Sequence, residues 1–165
     1  MPDFLSTLST AALTKHAMPI LQARARELGT TCLLDLGPVP VPFTGVFPVF
    51  RPDEKHLKDV PRKDILAVSC FALSMLPDDM LGKLIAEARA CSDHTLFLDF
   101  KFPERNLEYP AALLFMPLRH LISHGRIAER RDMEAFLYKK QDQFSVCARD
   151  TLYGGGLCCI VVHNR

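Results

Sequence analysis

Two acidic residues stand where apolar stretches end. Asp35 closes the stretch TCLLD, two residues before Gly37, and Asp99 closes the stretch TLFLD. Ligands of parallel sheets bind at the carboxyl ends of the strands, so both carboxylates are candidates for contacting one. The alternative is that each carboxylate caps or hydrogen-bonds the backbone of the loop beside it, and the sequence leaves both interpretations open.

Two further groups have spacings that suggest chemistry, and a structural explanation is favoured for both. His120 and His124 are four residues apart in HLISH, which lacks the glutamate of the zinc-binding pattern HExxH. The run Gly154-Gly155-Gly156 would suit phosphate binding only before a helix, and no helix is predicted after it. We therefore predict a hairpin turn at the glycines and no metal site.

The six cysteines predict reduced thiols rather than disulfides. No two of them form a CxxC pair, and Cys70 and Cys158 lie inside apolar runs. Cys158 and Cys159 are adjacent, so on a strand they would point to opposite faces and could not easily share a metal. Buried free thiols are typical of cytosolic proteins, and a redox or zinc role is the alternative.

The elements that would position these residues are organised around Ile65–Phe100. Apolar runs from Ile65 to Cys70 and from Thr95 to Phe100 flank a helical pattern that starts at Pro77-Asp78-Asp79. The buried stripe of this helix is predicted to consist of Met80, Leu81, Leu84, Ile85 and Ala88. Two short apolar runs joined by a helix predict a βαβ unit with parallel strands.

The N-terminal part of the chain predicts helices and then a strand. Asp3–Leu28 should form two helical pieces, with Pro19 in the first turn of the second piece and Gly29 as its stop. Thr31–Gly37 is predicted as a buried strand. The segment 38–64 holds six of the twelve prolines, and within it Gly45–Phe50 predicts a short edge strand and Asp53–Lys58 a helical turn.

Beyond Phe100 the pattern predicts a loop, two helices and an antiparallel hairpin. Lys101–Leu107 is a polar loop, Glu108–His124 is a helix kinked at Pro117 and ended by Gly125, and Asp132–Lys139 is a second helix. Phe144–Arg149 and Leu157–His163 are strands joined around Thr151–Gly156.

Length and charge limit the possible functions. A chain of 165 residues is long enough for a single domain with a real core, and we predict one domain over residues 1–165. The net charge of +1 predicts no binding to nucleic acid, and no run approaches the ~20 apolar residues of a membrane span. Because the N-terminus also lacks the basic start of a signal peptide, we expect a soluble cytoplasmic protein without membrane contact.

The order of elements resembles that of the class I S-adenosylmethionine-dependent methyltransferases, whose Rossmann-like fold ends in an antiparallel hairpin. LLDLG at Leu33–Gly37 is similar to the first motif of that family, and AVSCFALSMLPDD at Ala67–Asp79 is similar to its fourth strand and following loop. LFLDFKFPERNLEYPAALLF at Leu96–Phe115 resembles the fifth strand and the next helix, and LYGGGLCCIVV at Leu152–Val162 resembles the last strand pair. The resemblance implies an α/β fold with a mostly parallel, Rossmann-like sheet.

The resemblance also implies where a cofactor and a substrate would lie. Asp35 and Gly37 would lie near the methionine part of S-adenosylmethionine, and Asp99 would face the substrate as the candidate catalytic residue. The residues along the other side of the cofactor would be Ser69, Cys70, Phe71 and Ala72. For Phe71, plain core packing is the favoured alternative.

Residues 38–64 depart from the family pattern. Where the family continues its first motif as a glycine-rich turn into a helix, this chain has Pro38-Val39-Pro40, which lacks the free amides and the torsions for such a turn. The family places two helices and two strands between its first and fourth strands, and the 27 residues present cannot hold both crossovers. We predict that at least one strand and both helices are missing or replaced, with Val46–Phe50 standing in for the second strand. The acid that would hold the cofactor ribose after that strand has no clear counterpart, because Arg51 and Pro52 follow.

Three parts of the chain therefore differ in how closely they follow the family. Residues 1–30 form a helical N-terminal segment, residues 38–64 replace the usual helix–strand–helix, and residues 65–165 preserve the C-terminal half.

Two hypotheses for the function follow. The first is a degenerate relative with impaired or lost S-adenosylmethionine binding, which serves as a scaffold for self-association or partner binding. The second is an active S-adenosylmethionine-dependent methyltransferase with a small-molecule substrate. Because the loss of outer strands and helices would expose a sheet edge and apolar faces, we also predict a homodimer through Thr31–Phe50.

Overall fold

A six-stranded mixed sheet forms the centre of the protein. The computed structural model describes residues 2–42, 45–52, 59–100, 110, 113, 117 and 133–165. The strands are β1 (Cys32–Asp35), β2 (Val49–Phe50), β3 (Ile65–Cys70), β4 (His94–Phe100), β5 (Phe144–Leu152) and β6 (Leu157–Asn164). Their order across the sheet is β2-β1-β3-β4-β6-β5.

The strands from β2 to β4 run parallel, and the C-terminal pair runs antiparallel. β1 pairs in parallel with β2 and β3, and β3 pairs in parallel with β4. β6 runs antiparallel to β4 and to β5, and a short helical turn at Tyr153–Gly155 joins the hairpin. The predicted mixed α/β sheet is confirmed. The glycine run forms the hairpin connection, where Gly154 and Gly155 have φ of 63° and 103°.

The predicted βαβ unit extends from β3 to β4. Helices α2 (Ala72–Met75) and α3 (Asp78–Cys91) connect the strands, and two aspartates occupy the first turn of α3, where the helix dipole favours them. The buried stripe of α3 consists of Leu81, Leu84, Ile85 and Ala88. Met80 was also predicted in this stripe, but it is 49% exposed. The reason is that Met80 lies roughly a quarter turn from the centre of the stripe.

Each face of the sheet is covered by helices because strand side chains alternate between the two sides. The α1 face is covered by α1 (Pro2–Glu27) and includes Leu33, Val68, Leu98 and Val161, packed with Met18, Leu21 and Ala25. The α3 face is covered by α3 and α4 (Met133–Lys139) and includes Phe97, Ile160 and Val162, packed with Leu84, Ile85 and Leu137. Cys159 lies on the α1 face and Cys158 on the α3 face, as predicted, and all six cysteines are free.

The prediction of two N-terminal helical pieces is wrong. The structure has one helix, Pro2–Glu27, with Pro19 inside it and exposed. A proline inside a helix removes one backbone hydrogen bond. The helix continues because residues on both sides of Pro19, including Ala17 and Leu21, are buried against the sheet. It ends as predicted before Gly29, whose φ is +68°.

A bidentate ion pair fixes the end of α1 to the far strand of the sheet. Arg24 Nε and Nη2 donate to the two carboxylate oxygens of Asp150 on β5, each at 2.8 Å. Two parallel bonds between planar groups fix orientation as well as distance. The C-terminal half of α1 is thereby held across the antiparallel part of the sheet.

The described residues between β1 and β3 contain little regular secondary structure. β2 consists of Val49 and Phe50 alone, at the edge of the sheet, paired with Leu33 and Leu34. A single helical turn, Arg62–Asp64, precedes β3. The edge strand predicted at Gly45–Phe50 is thus present but shorter. The helical turn predicted at Asp53–Lys58 lies outside the described residues, so the loss of both family helices stays a prediction.

Most of the region between β4 and α4 lies outside the described residues. The predicted loop Lys101–Leu107, the kink in Glu108–His124, the stop at Gly125 and the pair His120 and His124 all fall there. The helix predicted at Asp132–Lys139 is confirmed as α4. Within the described part of the chain, no helix combines the length and the apolar character needed to cross a membrane.

Candidate functional site

The sheet has one topological switch point, at the carboxyl ends of β1 and β3. From β1 the chain moves to β2 on one side and then to β3 on the other. Ligands of open α/β sheets bind in the crevice outside such a point because the two loops leave in opposite directions. The residues just after β1 and β3 therefore decide whether a ligand can enter.

Asp35 ends β1 on the α1 face, and its carboxylate is directed into its own loop. One oxygen accepts a hydrogen bond from the Gly37 amide at 3.3 Å, and the other accepts one from the Val41 amide at 3.1 Å. The Arg51 guanidinium lies 4.0 Å from the second oxygen. Burial raises the pKa of Asp35, and the two amides and Arg51 oppose that rise. The sequence left open whether Asp35 contacts a ligand or hydrogen-bonds the backbone of its own loop, and the geometry is that of the second interpretation.

Gly37 lies directly against the end of β3. A Cβ atom placed on Gly37 would be 2.6 Å from the backbone nitrogen of Cys70 and 3.0 Å from its carbonyl oxygen. The Leu36 amide just before it donates to the Val68 carbonyl at 2.9 Å, which extends the β1–β3 pairing by one residue. The two strand ends are thus in backbone contact where a crevice would open.

The loop after Gly37 contributes apolar side chains to the core and few amide donors to the surface. Pro38, Pro40 and Pro42 have no amide hydrogen. The amides of Gly37 and Val41 donate to Asp35, which leaves that of Val39 as the remaining donor between residues 37 and 42. The side chains of Val39 and Val41 are buried in the same cluster as Phe71.

Phe71 follows β3 in a strained backbone conformation. Its φ of 61° lies in the left-handed region, which costs a bulky residue on the order of 1–3 kcal/mol. The amide of Phe71 donates to the Leu98 carbonyl at 2.7 Å, and the fully buried ring packs against Phe100 with centroids 5.1 Å apart. The ring is a core residue, which is the alternative favoured from the sequence.

The neighbours of Phe71 point to different sides of the sheet. Cys70 lies on the α1 face, where burial and the nearby Asp35 raise the pKa of its thiol well above the usual range. Ser69 alternates to the α3 face, and its buried hydroxyl has no hydrogen-bond partner. Ala72 is the buried first residue of α2. The side chains of Ser69 and Cys70 therefore point to opposite faces of the sheet, and their place beside a cofactor stays a prediction.

Asp99 is buried on the α3 face and joins the end of β4 to α2. Its carboxylate accepts hydrogen bonds from the Ser74 hydroxyl, the Ser74 amide at 3.2 Å and the Phe100 amide at 2.8 Å. The two candidate acids, Asp35 and Asp99, consequently lie on opposite faces of the sheet. This split follows from the register that pairs Asp35 with Val68 and Val68 with Leu96, because Asp99 lies an odd number of residues beyond Leu96.

The structure thus brings Asp35, Gly37 and Cys70 together and separates them from Ser69 and Asp99. Sequence reasoning missed two residues that hold these acids, Ser74 and Val41. Nothing in the neighbouring sequence marks Ser74 or Val41 as a hydrogen-bond donor to these acids, apart from its position after a strand. Where the chain is described, no group of three histidine, cysteine, aspartate or glutamate side chains is placed to hold a metal.

No family model matches this sequence, and no curated protein matches it. Solved structures with a similar fold include the methyltransferase domain of bacterial CtHen1-C, with a TM-score of 0.57, 12% identity, and coverage of 95% of this chain and 98% of that one. A LepI variant in complex with SAH and a substrate analogue has a TM-score of 0.54 at 11% identity over 94% of this chain. N,N-8-amino-8-demethyl-D-riboflavin dimethyltransferase (RosA) from Streptomyces davawensis has a TM-score of 0.51 at 17% identity over 81% of this chain.

These similarities show the fold, which is that of the class I methyltransferases predicted from the sequence. The chain spans 98% of the CtHen1-C domain, but 41% of the LepI chain and 42% of the RosA chain.

Proposed function

We propose that this chain is a non-catalytic relative of the class I methyltransferases, with impaired or lost S-adenosylmethionine binding, that serves as a self-associating or partner-binding scaffold. The observation that carries this proposal is the use of the backbone amides after β1. Residues 37–42 contain three prolines, and two of their three amides donate to Asp35. Only the backbone amide of Val39 is then left in residues 37–42 to donate to the carboxylate of a cofactor.

Sterics support the same conclusion. A glycine-rich turn serves a ligand by letting the backbone approach it closely and by leaving amides directed at it. Here the close approach at Gly37 is made to Cys70 instead, and Val39 and Val41 occupy the core beside Phe71. The residues present do not fit the methionine part of the cofactor at the switch point.

The ribose side of the cofactor lacks its expected partner as well. The residues directly after β2 are Arg51 and Pro52, not an acid. The Arg51 guanidinium lies 4.0 Å from Asp35 and can only donate hydrogen bonds, so the residue directly after β2 does not supply the acceptor that a ribose hydroxyl would need. We infer that neither the methionine part nor the ribose of the cofactor is held.

Calorimetric titration with S-adenosylmethionine and S-adenosylhomocysteine tests the loss of binding. We expect no saturable heat into the millimolar range, while LepI, whose structures contain both molecules, gives saturable heat with the same stocks. Circular dichroism of the titrated sample establishes that the chain is folded. Saturable binding of either molecule to this chain would overturn the proposal.

The scaffold role rests on the β2 edge of the sheet, through which we propose a homodimer formed by Thr31–Phe50. β2 is two residues long, Val46 is 50% exposed, and Val49 and Phe50 are half-buried. An apolar sheet edge of this kind needs cover. Pairing with the same edge of a second copy would cover the apolar edges of both chains at once.

Light scattering after size exclusion at micromolar concentration measures this dimer. We expect a mass near twice 18.5 kDa, with Val46→Glu shifting it to one times that mass. Val146→Glu is the matched control, because Val146 is 58% exposed on β5 at the other edge. A monodisperse monomer for the unaltered chain, or a dimer that only Val146→Glu dissociates, would contradict the proposed interface.

A second candidate function is an active methyltransferase for a small molecule. Strained backbone and unsatisfied buried polar atoms cluster at functional sites, and Phe71 just after β3 and Ser69 near its end supply one of each. Under this candidate, Asp99 is the carboxylate nearest a substrate. The titration above separates the two candidates, because only the active enzyme requires saturable S-adenosylmethionine binding.

A further inference from the structure

The amino end of β4, opposite to the switch point, carries a pair of histidines from two strands. His94 on β4 and His163 on β6 are direct partners in the antiparallel register, and their ring centroids are 5.1 Å apart with planes inclined at 56°. The Asn164 amide donates to the Asp93 carbonyl at 2.8 Å. A bond between these flanking residues marks His94 and His163 as a non-hydrogen-bonded pair, in which side chains approach most closely.

This separation of the ring centroids is compatible with two imidazoles binding one metal ion. With a metal–nitrogen distance of about 2.0–2.1 Å, each ring centroid lies roughly 3.2 Å from the metal. Two such rings at adjacent positions of a tetrahedral or octahedral ion have centroids about 4.5–5.2 Å apart. The observed 5.1 Å falls within that interval.

The backbone around the pair is held rigid from the other face of the sheet. Thr95 and Asn164, each next to one of the histidines, hydrogen-bond to each other through their side chains at 3.0 Å. Asn164 Nδ2 also donates to the Ser92 carbonyl at 2.8 Å, and all three residues are buried. A metal site on rigid elements keeps its ligand geometry without the metal.

We propose that His94 and His163 together bind one divalent transition-metal ion through their imidazole nitrogens, with water completing its coordination. Both side chains are reachable from solvent, since His163 is exposed and His94 is partly exposed. Imidazole ligands select Cu²⁺, Ni²⁺ and Zn²⁺ over Mg²⁺ and Ca²⁺, so the site takes the first group. The site is independent of the proposed function, because it lies at the other end of the strands.

The bound ion would join β4 to β6 across the strand pair. Any ligand that binds only the folded state raises the free energy of unfolding, by an amount set by its concentration relative to its dissociation constant. Metal binding at this pair is therefore visible in stability as well as in binding heat.

Histidine-ring NMR of the unaltered, untagged chain tests the location of the site. Substoichiometric Cu²⁺ should broaden the ring signals of two of the six histidines, His94 and His163, before the others. Broadening spread evenly over the six, or centred on His16 or any other histidine, would refute the proposal. Absence of broadening would refute it as well. This measurement needs no variant to fold.

Calorimetry with Ni²⁺ tests the two ligands separately. We expect one ion per chain, at least tenfold weaker binding in both His94→Gln and His163→Gln, and binding within twofold of the original in His16→Gln. Cys147→Ser should also retain binding, which excludes the exposed thiol as the ligand. Mg²⁺ serves as the titrant that gives no saturable heat. Equal affinity in the original chain and in His163→Gln would overturn the assignment.

Discussion

Replacement of Gly37 by alanine perturbs the contact of its loop with the carboxyl end of β3. The new methyl group would lie 2.6 Å from the Cys70 nitrogen and 3.0 Å from the Cys70 carbonyl oxygen. Real Cβ atoms do not approach backbone atoms at the shorter of these distances. Both partners belong to a central strand, so no side chain can rotate away to make room, and the loop has to move.

The expected cost follows from these distances. Inserting a methyl group into well-packed surroundings costs typically about 1–3 kcal/mol, and rigid backbone on both sides favours the upper end of that range. For a domain of this size, a loss of about 3 kcal/mol lowers the melting temperature by roughly 6–12 °C. Gly37→Ala should therefore be clearly destabilised yet still folded, because domains are stable by about 5–15 kcal/mol.

Gly82→Ala is the matched control for this substitution. Gly82 lies inside α3, and a Cβ atom there meets no heavy atom within 4 Å. Alanine in a helix interior is more favourable than glycine by about 0.5–1 kcal/mol, so the same chemical change should stabilise the chain at this position. The two variants should move the free energy of unfolding in opposite directions.

Urea unfolding followed by far-ultraviolet circular dichroism measures both variants. If the free energy of unfolding of Gly37→Ala lies within about 0.5 kcal/mol of that of the original chain, which is the range of neutral surface substitutions, then the loop does not pack against β3. That result would also remove the steric support for lost cofactor binding.

Three further predictions concern the strained residue, the buried acid and the polar network. Phe71→Ala should cost about 3–5 kcal/mol through loss of a fully buried ring, and Phe71→Gly should be more stable than Phe71→Ala by roughly 1 kcal/mol, because glycine accepts a φ of 61°. Burial raises the pKa of Asp35 in the folded chain above 3.8, so protonation of Asp35 favours the folded state. The free energy of unfolding of the original chain, minus that of Asp35→Asn, should therefore fall as pH rises from 3.8 through the folded pKa. Asn164→Ala should cost about 1–3 kcal/mol, because the buried Thr95 hydroxyl loses its partner.

Urea unfolding series decide each of the three. Equal stability of the alanine and glycine variants at position 71 would argue against backbone strain there. A difference between the original chain and Asp35→Asn that grows with pH would mean that the amides lower the pKa of Asp35 more than burial raises it. An unchanged midpoint in Asn164→Ala would show that water replaces the lost bonds.

Much of the fold was readable from the sequence because its signals are local. The short apolar runs ILAVSC and TLFLDF marked β3 and β4, and the acids after Pro77 marked the start of α3. Glycines between two apolar runs marked the C-terminal hairpin. Local signals failed at Pro19, because burial of Ala17 and Leu21 against the sheet outweighs one lost backbone bond.

The candidate site was readable only in part. The candidate residues lie at strand ends, as predicted, and the strand register puts the side chains of Asp35 and Asp99 on opposite faces of the sheet. Their grouping around one cofactor stays a prediction. The sequence also determined that residues 37–42 have few amides, since three are prolines.

Only the tertiary structure decided what the remaining groups contact. The bonds from Gly37 and Val41 to Asp35, the backbone contact of Gly37 with Cys70, and the pairing of His94 with His163 join residues whose distance depends on loop closure and strand register. Neither propensity nor periodicity carries that information, because both describe a residue relative to its near neighbours in the chain. The sequence by itself thus determined the layers and the order of the elements, and packing between distant segments decided which groups meet at the carboxyl ends of β1 and β3.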